Sequence, residues 1–226
     1  MTPRHKFDLS SLPDHPDLSF ENKLWGDGLR YVAGVDEAGR GALAGPVAAA
    51  AVVLPYDVLD LPSQLDGVND SKLMTSKDRE EKASVIKDVA LGWGVGFASS
   101  IEIDKTGIVS ATCLAANRAF LNLGITLEHI LVDYIRLTNV VTPQTPLVKG
   151  DARCLSIAAA SILAKTERDA LMIKMDDEFP GYHFANNKGY GTQAHRQAID
   201  RLGPCTQHRA TFSPVRDYYS LFPPKS

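Results

Sequence analysis

Cysteine is scarce and scattered. Cys113, Cys154 and Cys205 are the three in 226 residues, odd in number and far apart. With no C-x-x-C pair, neither a disulfide framework nor a zinc knuckle is indicated, and a reducing compartment is expected. Long hydrophobic runs are missing too. The longest near-apolar stretch, Ala42 to Pro55, is 14 residues and contains Gly45 and Pro46, which marks a buried strand rather than a membrane span. The opening Met1-Thr2-Pro3-Arg4-His5-Lys6 lacks the apolar core of a signal peptide, so a soluble cytoplasmic protein, without a membrane partner, is expected. No internal repeat or low-complexity block is visible. Nor is there an excess of positive charge: 24 Lys and Arg against 27 Asp and Glu leave −3, so no global field draws in nucleic acid. That sum hides an asymmetry. Residues 149–226 carry 11 basic and 8 acidic side chains, and a polyanion can be held by a local surface there. With 44% hydrophobic and 23% charged residues, the chain suits one sizeable α/β domain or two small ones, and wholesale disorder is excluded.

Residues 1–28 are polar and Pro-rich, with Pro13 and Pro16 interrupting any helix, and read as a loosely ordered lead-in. Within it Phe20, Leu24 and Trp25 dock a short helix. The remainder, 29–226, reads as one domain, with ordered structure beginning near Leu29. Tyr31–Val35 and Val47–Leu54 read as strands joined by a turn at Gly39, Gly41, Gly45 and Pro46, hence an antiparallel hairpin. Thr75 followed by Asp78 is a capping signal for a helix to about Ala90. A third strand is expected from Trp93 to Ile101. A helix follows from Asp104 to Leu123, with Ile108, Cys113, Leu114 and Leu121 roughly on one face. His129–Asp133 and Thr145–Lys149 read as further strands, then a long helix from Ser156 to about Met175. Shorter helices at Gln193–Arg201 and Pro214–Leu221 close the chain. The order predicts a mixed five-stranded sheet flanked by helices on both faces, with a small helical C-terminal extension.

Four carboxylates stand where acidic residues are usually unwelcome. Asp36 and Glu37 leave the first strand, Asp133 ends the fourth, and Asp151 lies between the fifth strand and a helix. Carboxylates gathered at one sheet edge repel one another unless a cation neutralises them. Oxygen-only ligands select hard ions, Mg²⁺ or Mn²⁺, and a pair of such ions is a known solution for phosphodiester hydrolysis. Taken singly each residue has a plainer role. Asp36-Glu37 suits a turn, Asp133 an exposed strand end, and Asp151 a helix cap.

The surrounding segments change that weighting. Val35-Asp36-Glu37-Ala38-Gly39-Arg40-Gly41 with Leu43-Ala44-Gly45-Pro46-Val47 resembles the opening signature of ribonuclease HII. Three stretches match the same family in order: Asn69-Asp70-Ser71-Lys72-Leu73; Lys149-Gly150-Asp151 with Ile157–Lys165 and Arg168-Asp169; and Lys188-Gly189-Tyr190-Gly191-Thr192 with His195. The tail His208-Arg209 and Ser213-Pro214-Val215 fits as well. The resemblance implies a ribonuclease H-like fold and a metal-dependent endonuclease. It would cut the RNA strand of RNA–DNA hybrids and incise 5′ of single ribonucleotides in duplex DNA. Two-ion hydrolysis would leave 3′-hydroxyl and 5′-phosphate ends. By motif, Asp36, Glu37, Asp133 and Asp151 would be both the catalytic and the metal-binding set, with Mg²⁺ or Mn²⁺ as cofactor. Many relatives have Gly directly after the third carboxylate, whereas Tyr134 follows Asp133 here. The nearby Asp104 lacks a buried strand to aim it inward.

The Gly39-Arg40-Gly41 loop, two of whose residues lack Cβ, can bring backbone donors and acceptors to a ribose 2′-hydroxyl. The resemblance gives it that role. It also has Tyr190, set between two glycines, sense the ribose–deoxyribose junction by stacking. Asn69, Ser71 and Lys72 lie in a polar loop before a helix, where phosphates are held; Asp70 suits a cap. Lys165 and Lys188 are expected on phosphates. Arg168 is either a weaker phosphate contact or a surface partner of Glu167 or Asp169. His183, His195 and His208 match no zinc spacing and suit supporting roles. Ala158-Ala159-Ala160-Ser161 reads as helix packing against the sheet, not as a site. Tyr218-Tyr219-Ser220-Leu221-Phe222 loosely resembles the apolar peptides that dock on sliding clamps; a terminal helix folding back is the commoner explanation. A monomer is expected. Two other classes compete: a DNA nuclease on the same fold, and a non-catalytic hybrid-binding protein.

Overall fold

The computed structural model describes residues 7–8, 12–72 and 74–221. Five strands form one sheet in the order β3-β2-β1-β4-β5. They are β1 (Val32–Ala38), β2 (Val47–Val53), β3 (Gly92–Ala98), β4 (His129–Asp133) and β5 (Gln144–Leu147). The β1–β2 and β2–β3 pairs are antiparallel, as a hairpin demands, while β1–β4 and β4–β5 are parallel. The helices are α1 (Ser19–Gly26), α2 (Leu61–Gln64), α3 (Ser76–Val89), α4 (Ser100–Thr106) and α5 (Ile108–Leu123). After the sheet come α6 (Leu155–Glu178), α7 (Phe184–Asn187), α8 (Gln193–Leu202) and α9 (Val215–Leu221). This is the ribonuclease H-like architecture expected. Among the described residues no helix is long and apolar enough to cross a membrane.

Strand β2, VAAAAVV, is buried throughout because helices cover both faces of the sheet. Alternate side chains point to opposite faces. Val47, Ala49, Ala51 and Val53 therefore pack with α5, and Ala50 and Val52 with α3 and α6. Small residues let the helices approach closely. A Cβ on Gly34 of β1 would stand 2.1 Å from the Ser156 carbonyl carbon of α6. On Gly94 and Gly96 of β3 it would meet α5 carbonyl oxygens at 2.2 Å. Ala158, Ala159 and Ala160 are fully buried on the α6 side.

Several boundaries differ from the sequence reading. β1 runs on to Ala38, because β2 continues to pair with it as far as Ala48. Asp36 and Glu37 thus lie inside the strand rather than beyond it. The expected third strand stops at Ala98, since Ser99 closes a capping box with Glu102 and starts a helix. The single helix from Asp104 is two helices, broken at Gly107, whose φ of +81° ends α4. Leu121, expected on the buried face of α5, is 80% exposed; Ala115, Ala116, Ala119 and Leu123 cover the sheet instead. β5 ends at Leu147, and Lys149 adopts the left-handed conformation. The chain also joins the body before Leu29. Leu155 N–H donates to the Asp17 carbonyl at 2.9 Å. Glu21 of α1 is buried and accepts from Ser156 N–H at 2.8 Å.

Candidate active site

Parallel pairing places Val35 opposite Val132, so the next residues on the two strands, Asp36 and Asp133, come side by side. β4 is short and apolar through Ile130, Leu131 and Val132, and Asp133 emerges at its end half-buried. Its Oδ1 accepts from Gly150 N–H at 2.7 Å. Tyr134 then turns the chain at φ +55°, a conformation that glycine adopts without cost. Asp151 sits in a 3-10 turn, Gly150–Ala152, ahead of α6 and is buried. It does not cap α6, whose N-cap is Cys154 without a side-chain bond. Instead Asp151 Oδ2 accepts from Lys72 Nζ at 3.0 Å.

Asp36 is 4% exposed. Burial, then the charges of Glu37, Asp133 and Asp151, push its carboxyl well above the usual carboxylate range. Burial and the Asp151 charge likewise push Asp133 up to about 6. Partial burial works against the Lys72 ammonium, but the Asp151 hydrogen bond and the charges of Asp151, Asp70 and Asp36 outweigh it and raise its proton affinity. Asp36 and Asp133, both raised in part by neighbouring carboxylates, belong to a donor set short of positive charge, and oxygen donors alone suit a hard divalent cation. The oxygens of this set are partly engaged by the protein: Glu37 Oε1 accepts from Arg40 at 3.0 Å and Asp36 Oδ1 from Glu37 N–H at 2.7 Å. Among the described residues no three His, Cys, Asp or Glu side chains are drawn tightly enough together to hold an ion as they stand.

Asp36, Glu37 and Asp133 line a cleft of about 500 Å³ whose walls also include Gly39–Gly41, Ser71, Lys72, Lys165 and Tyr190. Gly39 is required there: its φ is +87°, and a Cβ would stand 1.9 Å from Arg168 Nε. Gly41 is different, because a Cβ there would meet nothing within 4 Å; its bare backbone faces open space. The Tyr190 ring lies 5.3 Å from Lys165 Nζ and 5.4 Å from Arg168 Cζ. Lys165 Nζ donates to Asp169 at 2.8 Å. Asn69 and Lys188 are not in this wall. The Asn69 side chain accepts from Asp70 N–H, and Lys188 Nζ bonds the Ala185 carbonyl. Asp70, expected as a helix cap, does not cap α3, whose N-cap is Thr75; it ties its own loop by accepting from Lys72 N–H at 3.0 Å. Another cleft of similar volume, between Phe97, Arg118 and Leu171, holds the Glu102–Arg118 pair and none of these residues.

Other expectations need correcting. Arg168 is fully buried and neither touches phosphate-accessible surface nor pairs with Glu167 or Asp169; it donates to backbone carbonyls of Ala44, Pro46 and Lys188. Its spacing with Ala164 and Met172, both buried, marks the inner face of α6. Ser161, read as packing alone, shares a 2.8 Å hydrogen bond with Ser71 and lines the cleft. Arg79 escaped sequence reading although Ala83 and Ile86 place it on the buried stripe of α3. It donates to the Ser71 and Met74 carbonyls and pairs with Asp169 at 3.4 Å, bracing the 69–72 loop. Asp104 accepts from Ala210 and Thr211, far from the carboxylates in role. His195 Nδ1 lies 2.9 Å from the Tyr190 carbonyl, and its Nε2 lies 3.1 Å from His208 Nε2. Tyr218 and Tyr219 pack against Leu43, Ile199 and Val215, while Phe222 lies outside the described residues.

The family model for ribonuclease HII matches residues 33–215. The ribonuclease HII of Synechococcus sp. (strain JA-3-3Ab) is 54% identical over 202 residues, 89% of this chain and 90% of that protein. That of Syntrophotalea carbinolica is 52% identical over 205 residues, 91% and 96% of the two chains. Among solved structures, ribonuclease H2 from Pyrococcus horikoshii OT3 superposes with a TM-score of 0.67 at 25% identity, covering 84% of this chain and 98% of that one. The chain therefore belongs to the ribonuclease HII family and is a divalent-metal-dependent ribonuclease H enzyme.

Proposed function

We propose that this enzyme hydrolyses the RNA strand of RNA–DNA hybrids and incises duplex DNA on the 5′ side of a single embedded ribonucleotide. The products carry 3′-hydroxyl and 5′-phosphate ends. One observation carries the reading: Asp36, Glu37 and Asp133 share a cleft with the Gly39–Gly41 loop and Tyr190. Acid chemistry for a phosphodiester and a bare backbone for a ribose thus face the same space.

Asp36, Glu37, Asp133 and Asp151 would hold two divalent cations, Mg²⁺ or Mn²⁺. Such ions, when bound, supply an activated water and neutralise the leaving oxygen. The chain's own residues do the rest. Gly150 N–H fixes Asp133, and Lys72 donates to Asp151 until an ion takes its place. The backbone at Gly39, Arg40 and Gly41 exchanges hydrogen bonds with the 2′-hydroxyl, which both donates and accepts. Gly41 supports this because its open side is not needed by the protein's own packing. Tyr190 stacks on the sugar or base at the junction, its ring placed by cations behind it. Lys72 and Lys165 neutralise phosphates of the duplex and Ser71 helps to position them, with Asn69 and Lys188 further along its path. The proposed enzyme acts as a monomer in the cytoplasm. A sliding-clamp contact through residues 218–222 has less support, since Tyr218 and Tyr219 pack back on the body; deleting residues 218–226 and finding clamp binding unchanged removes it.

The test uses labelled duplex DNA with one ribonucleotide and an all-DNA control in Mg²⁺, with wild type beside Asp36→Asn. The expected result is one cut 5′ of the ribonucleotide, absent in the variant and in the control. Cleavage of both duplexes would keep the acidic site but favour a DNA nuclease on the same fold. Binding without cleavage of the ribonucleotide duplex by wild type would overturn the incision reading.

A further inference from the structure

Two fully buried arginines lie behind the cleft. Among the described residues neither Arg168 nor Arg209 has a carboxylate within ion-pair distance. An unpaired buried guanidinium is costly unless every N–H finds an acceptor, and here the acceptors are backbone carbonyls of the two loops that read the substrate. Arg209 Nη2 donates to Gly39 O at 2.7 Å and to Gly45 O at 3.0 Å, and its Nη1 to Arg40 O at 2.8 Å. Arg168 Nε donates to Pro46 O at 2.8 Å, Nη2 to Ala44 O at 3.2 Å, and Nη1 to Lys188 O at 2.9 Å. Arg209 thus holds both ends of the β1–β2 connection. Arg168 ties that connection to the Lys188–Gly191 turn and lies 5.4 Å from the Tyr190 ring centroid. The loops also touch directly, Leu43 N–H donating to Gly189 O at 2.8 Å.

We infer that Arg168 and Arg209 are positioning residues for ribonucleotide discrimination, setting the Gly39–Gly41 backbone and Tyr190 at one fixed separation. This rests on the proposed reading of that loop and ring as the 2′-hydroxyl sensor. Three features carry it. The carbonyls held include Gly39 O and Arg40 O, the backbone of the sensing loop itself. Gly39 can be nothing but glycine because Arg168 occupies the space of its Cβ. A planar fork with five donors binds several carbonyls at once, which a lysine cannot do. Burial, followed for Arg209 by the like charge of Arg168, weakens the hold of both guanidiniums on their protons. Holding two such groups together costs stability that an apolar pair of similar volume would not. A binding geometry sensitive to small displacements is the return for that cost.

The test compares cleavage of a duplex carrying one ribonucleotide with the same duplex carrying a 2′-fluoro nucleotide, for wild type, Arg168→Lys and Arg209→Lys. The expected result is that kcat/KM on the ribonucleotide falls about tenfold or more, the scale of one lost hydrogen bond, while the 2′-fluoro rate changes little. The ratio of the two then collapses. Equal losses on both substrates, with the ratio kept, would mean that the arginines only hold the fold, and the inference fails. Arg168→Gln and Arg209→Gln keep the matter decidable should a lysine variant not fold: each is uncharged and its amide can still donate to a carbonyl, and each must lower the ratio in the same way. Wild type that does not discriminate the two duplexes would sink the 2′-hydroxyl reading and this inference together. Discriminating wild type with unchanged ratios in the variants would sink the inference alone.

Discussion

Lys72 Nζ stands 3.0 Å from Asp151 Oδ2, across 79 residues of sequence. The Lys72 side chain is 72% exposed, whereas Asp151 is buried. Lys72 is therefore the movable partner, a protein cation lying against a set of carboxylates otherwise short of positive charge. Lys72→Ala should tighten divalent-ion binding severalfold, measured by calorimetry, because a competing charge is gone. It should also lower kcat/KM about tenfold through the lost phosphate contact. Unchanged ion affinity would show that Lys72 does not compete for the carboxylates.

Asp36→Asn should separate activity from stability. Cleavage should be lost, since the variant removes a ligand of the proposed ions. In metal-free buffer the fold should gain about 1–2 kcal/mol, because a buried carboxylate among like charges is neutralised. A melting temperature higher by a few degrees in EDTA is the expected reading. A lower one would mean that the Glu37 N–H bond to Asp36 outweighs the repulsion.

Tyr190 is placed between Gly189 and Gly191, where added Cβ atoms would strike Ala44 O at 2.4 Å and Leu43 Cδ1 at 2.9 Å. Its backbone is fixed while its ring lines the cleft. Tyr190→Ala should cost about 1–3 kcal/mol of substrate binding, the usual scale of base–aromatic stacking. Tyr190→Phe should retain most of that and lose only what the hydroxyl contributes. Gel-shift titrations with the ribonucleotide duplex decide it; equal losses in the two variants would remove stacking from the account.

Acid should loosen the support beneath Tyr190. Burial, then the neighbouring His195, pull His208 from 6.5 down to about 4, and burial lowers His195 as well. Below pH 6.5 the unfolded chain binds a proton at residue 208 that the folded chain refuses. The stabilising contribution is thus complete above pH 6.5 and is lost as pH falls towards 4, roughly 3 kcal/mol at most. The raised carboxyls of Asp36 and Asp133 act with the opposite sign. For that reason the readout is the difference in urea midpoint between wild type and His208→Gln at pH 7 and pH 5. The variant should lose less stability on acidification, and an identical loss would refute the role of His208.

Much of the fold was legible because its signals are local. The β4 strand His129–Asp133 is bounded as its apolar run predicts, and Thr75 caps α3 through Asp78 N–H. The small residues of β2 announce a strand covered on both sides. The acidic residues were legible differently: each alone suits a turn, a strand end or a cap, and only the motifs around them lend the four their weight. Charge pairing across distant segments was not legible. Lys72 with Asp151, and Arg79 with Asp169, meet only once the sheet brings α3 beside α6. Arg168 and Arg209 look like surface residues in a sequence, since their burial depends on carbonyls contributed by loops far along the chain. The break at Gly107 depends on φ, which composition does not reveal. Sequence alone determined the strands and the strand-end carboxylates on which the proposed chemistry rests. Tertiary structure decided which cations stand behind them, because a buried charge is settled by its partners in space and not by its neighbours in the chain.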